Sequence, residues 1–389
     1  MNFSRRARQA VFAFVFVIAF NLKAQQNQVT LPVAQVAPSA VEDKGYKPTS
    51  KVTIVVYGRQ VEDEFSRSHQ GVTVIDPELY VKYGEYLTLG LDLVAILGTG
   101  NASNFWNEDG KPPNAILLNE GYGKINFDKN LFVKAGVIRT PINPLTSIMT
   151  PGTFIGAQEE WQIGADESNI TLTGYEAIPS SGTVSRRIYD DGTQAYFLSQ
   201  TLAGRLKTDF GTDLKAAATR FQFENLSTNV ANDSYFLGNS LESFEGSSKS
   251  FRFRYGFMGT ETSLTLKQDI GKHEASIFGS TIVNDQAPDG QNKGRMVGGG
   301  LKIVSGNYAF RPQYTVFNYD ADVIPTTYSL ITMRFQNRTG YKVGFDIELI
   351  KEKLALRNYY MKMNLKDANP YLADREIYNI ALEAKYDIF

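Results

Sequence analysis

Basic side chains recur in this chain where they alternate with aromatic or aliphatic ones. Arg252 and Arg254 alternate with Phe251, Phe253 and Tyr255. Arg311 sits between Phe310 and Pro312, Arg334 between Met333 and Phe335, Lys342 between Tyr341 and Val343, and Arg357 between Leu356 and Asn358. In an extended backbone this spacing puts the cations on one face and the apolar groups on the other. Rows of cations around an aqueous space attract anions and oppose cations. Glu120, Glu274, Asp346, Glu348, Glu383 and Lys385 fall on the same face. A salt-bridged, hydrated face with little selectivity is therefore the alternative reading of one pattern.

Other chemistries have thinner support. The chain has no cysteine, which excludes thiol catalysis and thiolate metal sites. Its two histidines are His69, with Ser66 and Ser68 beside it, and His273. Neither is spaced as the base of a recognisable nucleophile pair, so a hydrolase rests on them alone. Asp285 with Asp289, and Asp320 with Asp322, suit oxygen ligation of calcium or ordinary solvated turns. Gly98-Thr99-Gly100 and Gly298-Gly299-Gly300 lack the strand-to-helix setting of a phosphate loop. The second run, inside a strand, marks a bend or a close approach. A formal charge of −1 with no basic tract excludes nucleic-acid binding, and no residue set implies a cofactor.

The elements that hold these residues follow from hydropathy. Arg5, Arg6 and Arg8 precede the apolar run 11–20, and Ala24 offers a cleavage site, so 1–24 reads as an export leader too short to span a membrane. Segment 25–50 is polar and carries Pro32, Pro38 and Pro48, which predicts a flexible tail. From 51 to 389 the chain alternates run after run. The clearest run is 86–97, with Leu87, Leu89, Leu91 and Leu93 against Thr88, Gly90 and Asp92. Four leucines opposite a carboxylate suit lipid outside and water inside. The last run sets Ile380, Leu382, Ala384, Tyr386 and Ile388 against Glu383, Lys385 and Asp387, and it predicts the strand that closes a sheet on itself.

This predicts an all-β, transmembrane antiparallel barrel of about sixteen strands, an even number that brings both ends to one side. One conflict remains. Counting 250–259 and 328–336 as strands puts the short turns 270–272 and 305–307 on the long-loop side. Merging 250–269 and 328–350 restores the loop rule and gives about fourteen; about eighteen is the other alternative. Segments 60–77, 98–114 and 140–193 show no clean alternation. The last, bounded by Pro141, Pro144 and Pro151, predicts a long loop folded inward to constrict the lumen, or else an outer loop. Within it Glu159, Glu160 and Trp161 are candidates for the constriction.

One hairpin carries a resemblance. Leu118 to Phe127 (LNEGYGKINF) is followed by Leu131 to Pro141 (LFVKAGVIRTP). This resembles the early hairpin of Gram-negative porins, particularly the phosphate-selective porin O/P-like group. There an acid-x-Tyr strand precedes one ending Gly-x-x-x-Thr-Pro, matched here by Glu120, Tyr122, Gly136, Thr140 and Pro141. The resemblance implies a sixteen-stranded, trimeric diffusion channel in the bacterial outer membrane, in contact with its lipid and passing small hydrophilic solutes. Those porins line the constriction with lysines, for which Lys134 is the candidate here. A filled barrel serving as an adhesin or structural envelope protein is the competing expectation.

Overall fold

The computed structural model describes residues 46–64, 67–103, 114–139, 145–150, 152–179, 194–234, 237–243, 251–329, 336–369 and 372–388. The expected leader, most of the expected tail, Arg334 and the terminal Phe389 lie outside them.

The wall strands are β1 (Tyr46–Asp63), β2 (Arg67–Tyr83), β3 (Leu87–Ser103), β4 (Ala115–Asn126), β5 (Leu131–Ile138), β6 (Phe154–Ala165), β7 (Ser168–Ile178), β8 (Tyr196–Lys207) and β9 (Thr212–Glu224). After a long connection follow β12 (Phe257–Ile270), β13 (His273–Asn284), β14 (Lys293–Ser305), β15 (Tyr308–Tyr319), β16 (Arg338–Ile350), β17 (Leu354–Leu365) and β18 (Arg375–Asp387). Each pairs with its neighbours, and β18 pairs antiparallel with β1 from Lys51↔Asp387 to Asp63↔Arg375. The sixteen strands thus form a closed ring with no free edge. The connection between β9 and β12 holds a helix, α1 (Thr228–Ser234), and a small hairpin of β10 (Leu241–Ser243) and β11 (Phe251–Phe253).

Alternation decides what each face meets. Outward residues such as Leu89, Leu91, Ile116, Ile163, Leu172, Leu202, Leu264, Ile277, Val297, Val343, Ile380 and Leu382 are exposed and apolar. Tyr314, Tyr341, Tyr360 and Tyr378 form a row on β15–β18 with successive rings 6.1, 6.0 and 4.7 Å apart. Tyr83, Tyr86, Phe127, Phe210, Tyr308 and Tyr386 are exposed at the opposite end. An apolar belt between aromatic rows is the surface a membrane demands. The buried core lies inside the ring.

The strand total agrees with the sequence expectation, but its membership does not. Segment 140–193 is not one loop: β6 and β7 run through it. Their alternation is masked because Glu159 and Glu176 stand on the outward phase and interrupt Ile155, Trp161, Ile163, Leu172 and Ile178. Conversely, of the described residues in the expected strands 250–259 and 328–336, only 257–259 join the wall, where they open β12. Arg252 sits in the β11 hairpin and Tyr328 in a 3-10 turn. These exchanges remove the loop conflict. The turns near 84–86, 127–130, 166–167, 271–272, 306–307 and 351–353 now share the end that holds Tyr46 and Asp387. The long connections gather at the other end. Residues 46–50, expected in the tail, begin β1, and the supposed loop 60–77 is mostly the β1–β2 ladder. Inside β14, Phe278 lies across Gly298, where a Cβ would stand 2.5 Å from the ring. The glycine admits a neighbour's bulk and cradles no phosphate.

Leu382 faces outward midway along β18. Leu382→Arg is expected to cost about 2–4 kcal/mol of stability, read as a lowered urea midpoint in lipid vesicles; the exposed lumen residue Arg357 replaced by Gln should leave the midpoint nearly unchanged.

Candidate functional site

The lumen is built from the inward phase of the wall and from loops that turn into it. Near the long-loop end, β6–β9 contribute Phe154, Tyr175, Phe197, Phe221 and Phe223, each almost fully buried. Tyr328 of the connection after β15 lies among them, 5.0 Å from the Phe154 ring and stacked on Phe223 at 5.3 Å. Ile148 and Met149, from the connection after β5, join the same cluster with Met296, Phe317, Met361 and Ile377. This packing holds the loops inside, because their apolar side chains bury only against the inner wall.

One carboxylate fixes the crossing. Glu261, on the inward phase of β12, is completely buried. It accepts hydrogen bonds from Ser147 Oγ at 2.7 Å, Ile148 N at 2.6 Å, Met149 N at 3.2 Å and Ser280 Oγ at 2.5 Å. Thr150 N donates to Tyr328 O at 2.9 Å, so this stretch also joins the second loop. The described inward-folded stretch is thus 145–150, and β6 and β7 occupy 154–178 of the 140–193 expected as one loop. Sequence reasoning passed over Glu261, and the available signal was an acid in phase with Gly259 and Ser263, opposite the lipid-facing Leu264.

Nearer the turn end the inner face is charged. Lys134 pairs with Glu120 at 3.1 Å and lies 3.7 Å over the Tyr122 ring. Lys51 stands 3.9 Å from Glu78, which accepts from the Tyr80 hydroxyl at 3.0 Å. On β14 to β18, Lys302 pairs with Glu348 at 3.2 Å, and Glu383 receives both Arg357 and Lys385 at 2.9 Å. Arg311, opposite Asp346 in the ladder, completes a cavity of about 150 Å³ lined by these groups. Lys342 points inward over the Tyr359 ring at 4.4 Å. Lys134, Arg311, Lys342 and Arg357 lie on the inward phase of the wall, each beside an acid or a ring.

Other candidates are displaced. Arg252 and Arg254 are exposed in the outer connection, where Arg252 bonds Glu242 at 2.6 Å, and they line no wall. Glu159 and Trp161 point outward from β6. Glu160 points inward and accepts from Thr173 Oγ1 at 3.3 Å, but it belongs to the wall and not to a constricting loop. His69 lies on β2, whereas His273 begins β13 and accepts from Val304 N at 3.1 Å, so the two are not brought together. The loop aspartates are engaged by protein partners: Asp285 by Arg220, Asp289 by Lys293, and Asp320 by Lys293 N and Lys366.

Asparagines knit the outer connections together. Asn239 donates to Ala321 O and Ile324 O, each at 2.9 Å, and Asn284 donates to Asp322 O at 2.8 Å. Asp322, in the same connection, accepts from Ser240 N at 2.8 Å. Burial raises its carboxyl to about 6, against the pull of the Ser240 and Asn239 hydrogen bonds and the Arg254 charge.

The architecture has solved counterparts. The high-pH structure of Pseudomonas putida OprB matches with a TM-score of 0.57 over 88% of this chain and 95% of that one, at 12% identity. The low-pH structure of the same protein matches at 0.52 over 88% and 93%, with 8% identity. These likenesses establish the fold. No family model and no curated protein matches the sequence.

Replacing Glu261 by Leu leaves two hydroxyls and two amides without their acceptor, at about 1–3 kcal/mol for each group that stays unpaired. The expected result is loss of amide protection at Ile148 and Met149 in hydrogen exchange, with the ladder amides of β12 still protected. Asp322 gives a pH test. Its folded value lies above the ordinary 3.8, so the folded loops bind the extra proton. Its contribution to their stability is complete below about 3.8 and lost as pH rises through about 6. Protection of the Ser240 amide, corrected for intrinsic exchange, should fall from about pH 4 to about pH 6 and level off above, and Asp322→Asn should flatten that profile.

Proposed function

We propose that this protein is an outer-membrane porin through which small hydrophilic solutes and ions diffuse passively. The observation that carries the reading is a lipid-belted closed ring whose inner face bears charged rows, with loop 145–150 fastened across the lumen by Glu261. Paired charges on opposite walls keep an aqueous path hydrated without trapping a solute. An anion bias is the finer part of the proposal. Around the cavity near the turn end, Lys302, Arg311, Lys353, Arg357 and Lys385 outnumber Asp346, Glu348, Glu352 and Glu383 by one. Phosphate selectivity forms no part of it, since Lys134 is committed to Glu120 and Tyr122. The trimer implied by the resemblance belongs to the same reading and is checked by the mass of the assembly in mild detergent.

The buried aromatic cluster favours a second reading, a barrel closed at its loop end and serving as an envelope or surface-binding protein. Planar bilayers separate the two. The porin reading expects stepwise conductance and a reversal potential of anion-preferring sign in a salt gradient. Combining Lys302→Glu with Arg311→Glu should lower the anion-to-cation permeability ratio by about twofold or more. Bilayers that stay closed at high protein concentration would sink the porin reading in favour of the closed barrel; a cation-preferring wild type would sink only the anion bias.

A further inference from the structure

The lumen cavity near the turn end holds one guanidinium and one carboxylate that the protein leaves unused. Arg311 of β15, Asp346 of β16 and Arg357 of β17 stand side by side in one ladder row, all on the inward phase. The next inward row toward the turns is Ala309, Glu348, Ala355 and Glu383. Its two alanines fill little of the space between these charges, and the cavity of about 150 Å³ takes in both rows.

The neighbouring acids are committed. Glu348 takes Lys302 at 3.2 Å and the Glu352 amide at 2.8 Å. Glu383 takes Arg357 and Lys385, each at 2.9 Å, which also occupies the Arg357 guanidinium. Arg311 and Asp346 are different. Both are half-buried, and neither side chain forms a hydrogen bond or an ion pair with any described residue. Opposite charges directly across a ladder normally engage each other. Here they are ladder partners and stay apart.

Charge selects what can sit between them. A simple anion can dock on Arg311 but meets Asp346, Glu348 and Glu383 beside it. A simple cation can dock on Asp346 but meets Lys302, Arg311 and Arg357. A small molecule that carries both a carboxylate and an ammonium satisfies the two at once. The guanidinium fork matches a carboxylate with two parallel hydrogen bonds, and the aspartate accepts from the ammonium. Residues directly opposite in an antiparallel ladder hold their Cβ atoms about 5 Å apart, so one small solute can reach both side chains.

We propose that Arg311 and Asp346 form a subsite for small zwitterions of the α-amino-acid class, with the solute's carboxylate on Arg311 and its ammonium on Asp346. This names a solute class for the lumen and rests on the porin reading above. The test is saturation-transfer NMR at pH 7 on the full chain in detergent. The probes are L-alanine, L-lactate, which lacks the ammonium, and L-alaninamide, which lacks the carboxylate. Alanine should bind about tenfold or more tighter than either. Arg311→Gln should erase the margin over alaninamide, and Asp346→Asn the margin over lactate, with heat-modifiable mobility on gels showing that each barrel is folded. Lactate bound as tightly as alanine would reduce the site to anion attraction and overturns the proposal. So does alaninamide bound as tightly as alanine, or a preference for alanine that survives both substitutions in folded protein. Conductance is read separately in planar bilayers. Open channels that bind no alanine sink the subsite and leave the channel reading standing; closed bilayers with alanine bound do the reverse.

Discussion

Backbone pairing without an edge is the constraint on which everything else depends. In hydrocarbon an unpaired amide or carbonyl has no water to turn to, so a sheet there must close. Here closure is the thirteen-pair ladder between β1 and β18. Once the ring is closed, the side-chain period of two sorts every residue into membrane or lumen. A single slip along that seam would carry Leu382 inward and Glu383 outward, which makes the apolar belt as much a specifier of register as a consequence of it.

The interior solves a different problem. A ring of sixteen strands encloses more space than its own side chains fill. This chain fills the loop end with apolar side chains from two connections and lines the turn end with opposed charges. The division is chemical: Phe154, Phe197 and Tyr328 exclude water, whereas Arg357, Glu383 and Lys385 retain it. Glu261 lies where the regimes meet, a buried acid that holds its position because the loop supplies donors in place of water.

Much of this was legible in the sequence. Leu87 to Leu93 and Ile380 to Ile388 show both faces of the wall directly, since alternation is a local property. The same alternation puts Lys134, Arg311, Lys342 and Arg357 on the phase that faces inward. The failures share one cause. Period two shows that a segment is extended but not which sheet it joins. The 250–259 run alternates well, yet 251–253 form an arm of a loop hairpin and only 257–259 enter the wall, and β6 reads poorly because Glu159 breaks its lipid face. The two errors cancelled in the strand count while misplacing Arg252, Arg254 and Glu159. The Glu261 contact was illegible for another reason. Its partners in the loop lie 112 to 114 residues away, and no local pattern announces a contact made across a lumen.

That separation has a consequence for how the molecule is made. A contact between such distant residues pays its loop-closure entropy only after the intervening strands, β6 to β9, have aligned. The plug is therefore a late event in assembly, fitted into a wall already curved around it. Its order reports on the whole of that wall: damage to any intervening strand would loosen the interior before the belt shows it.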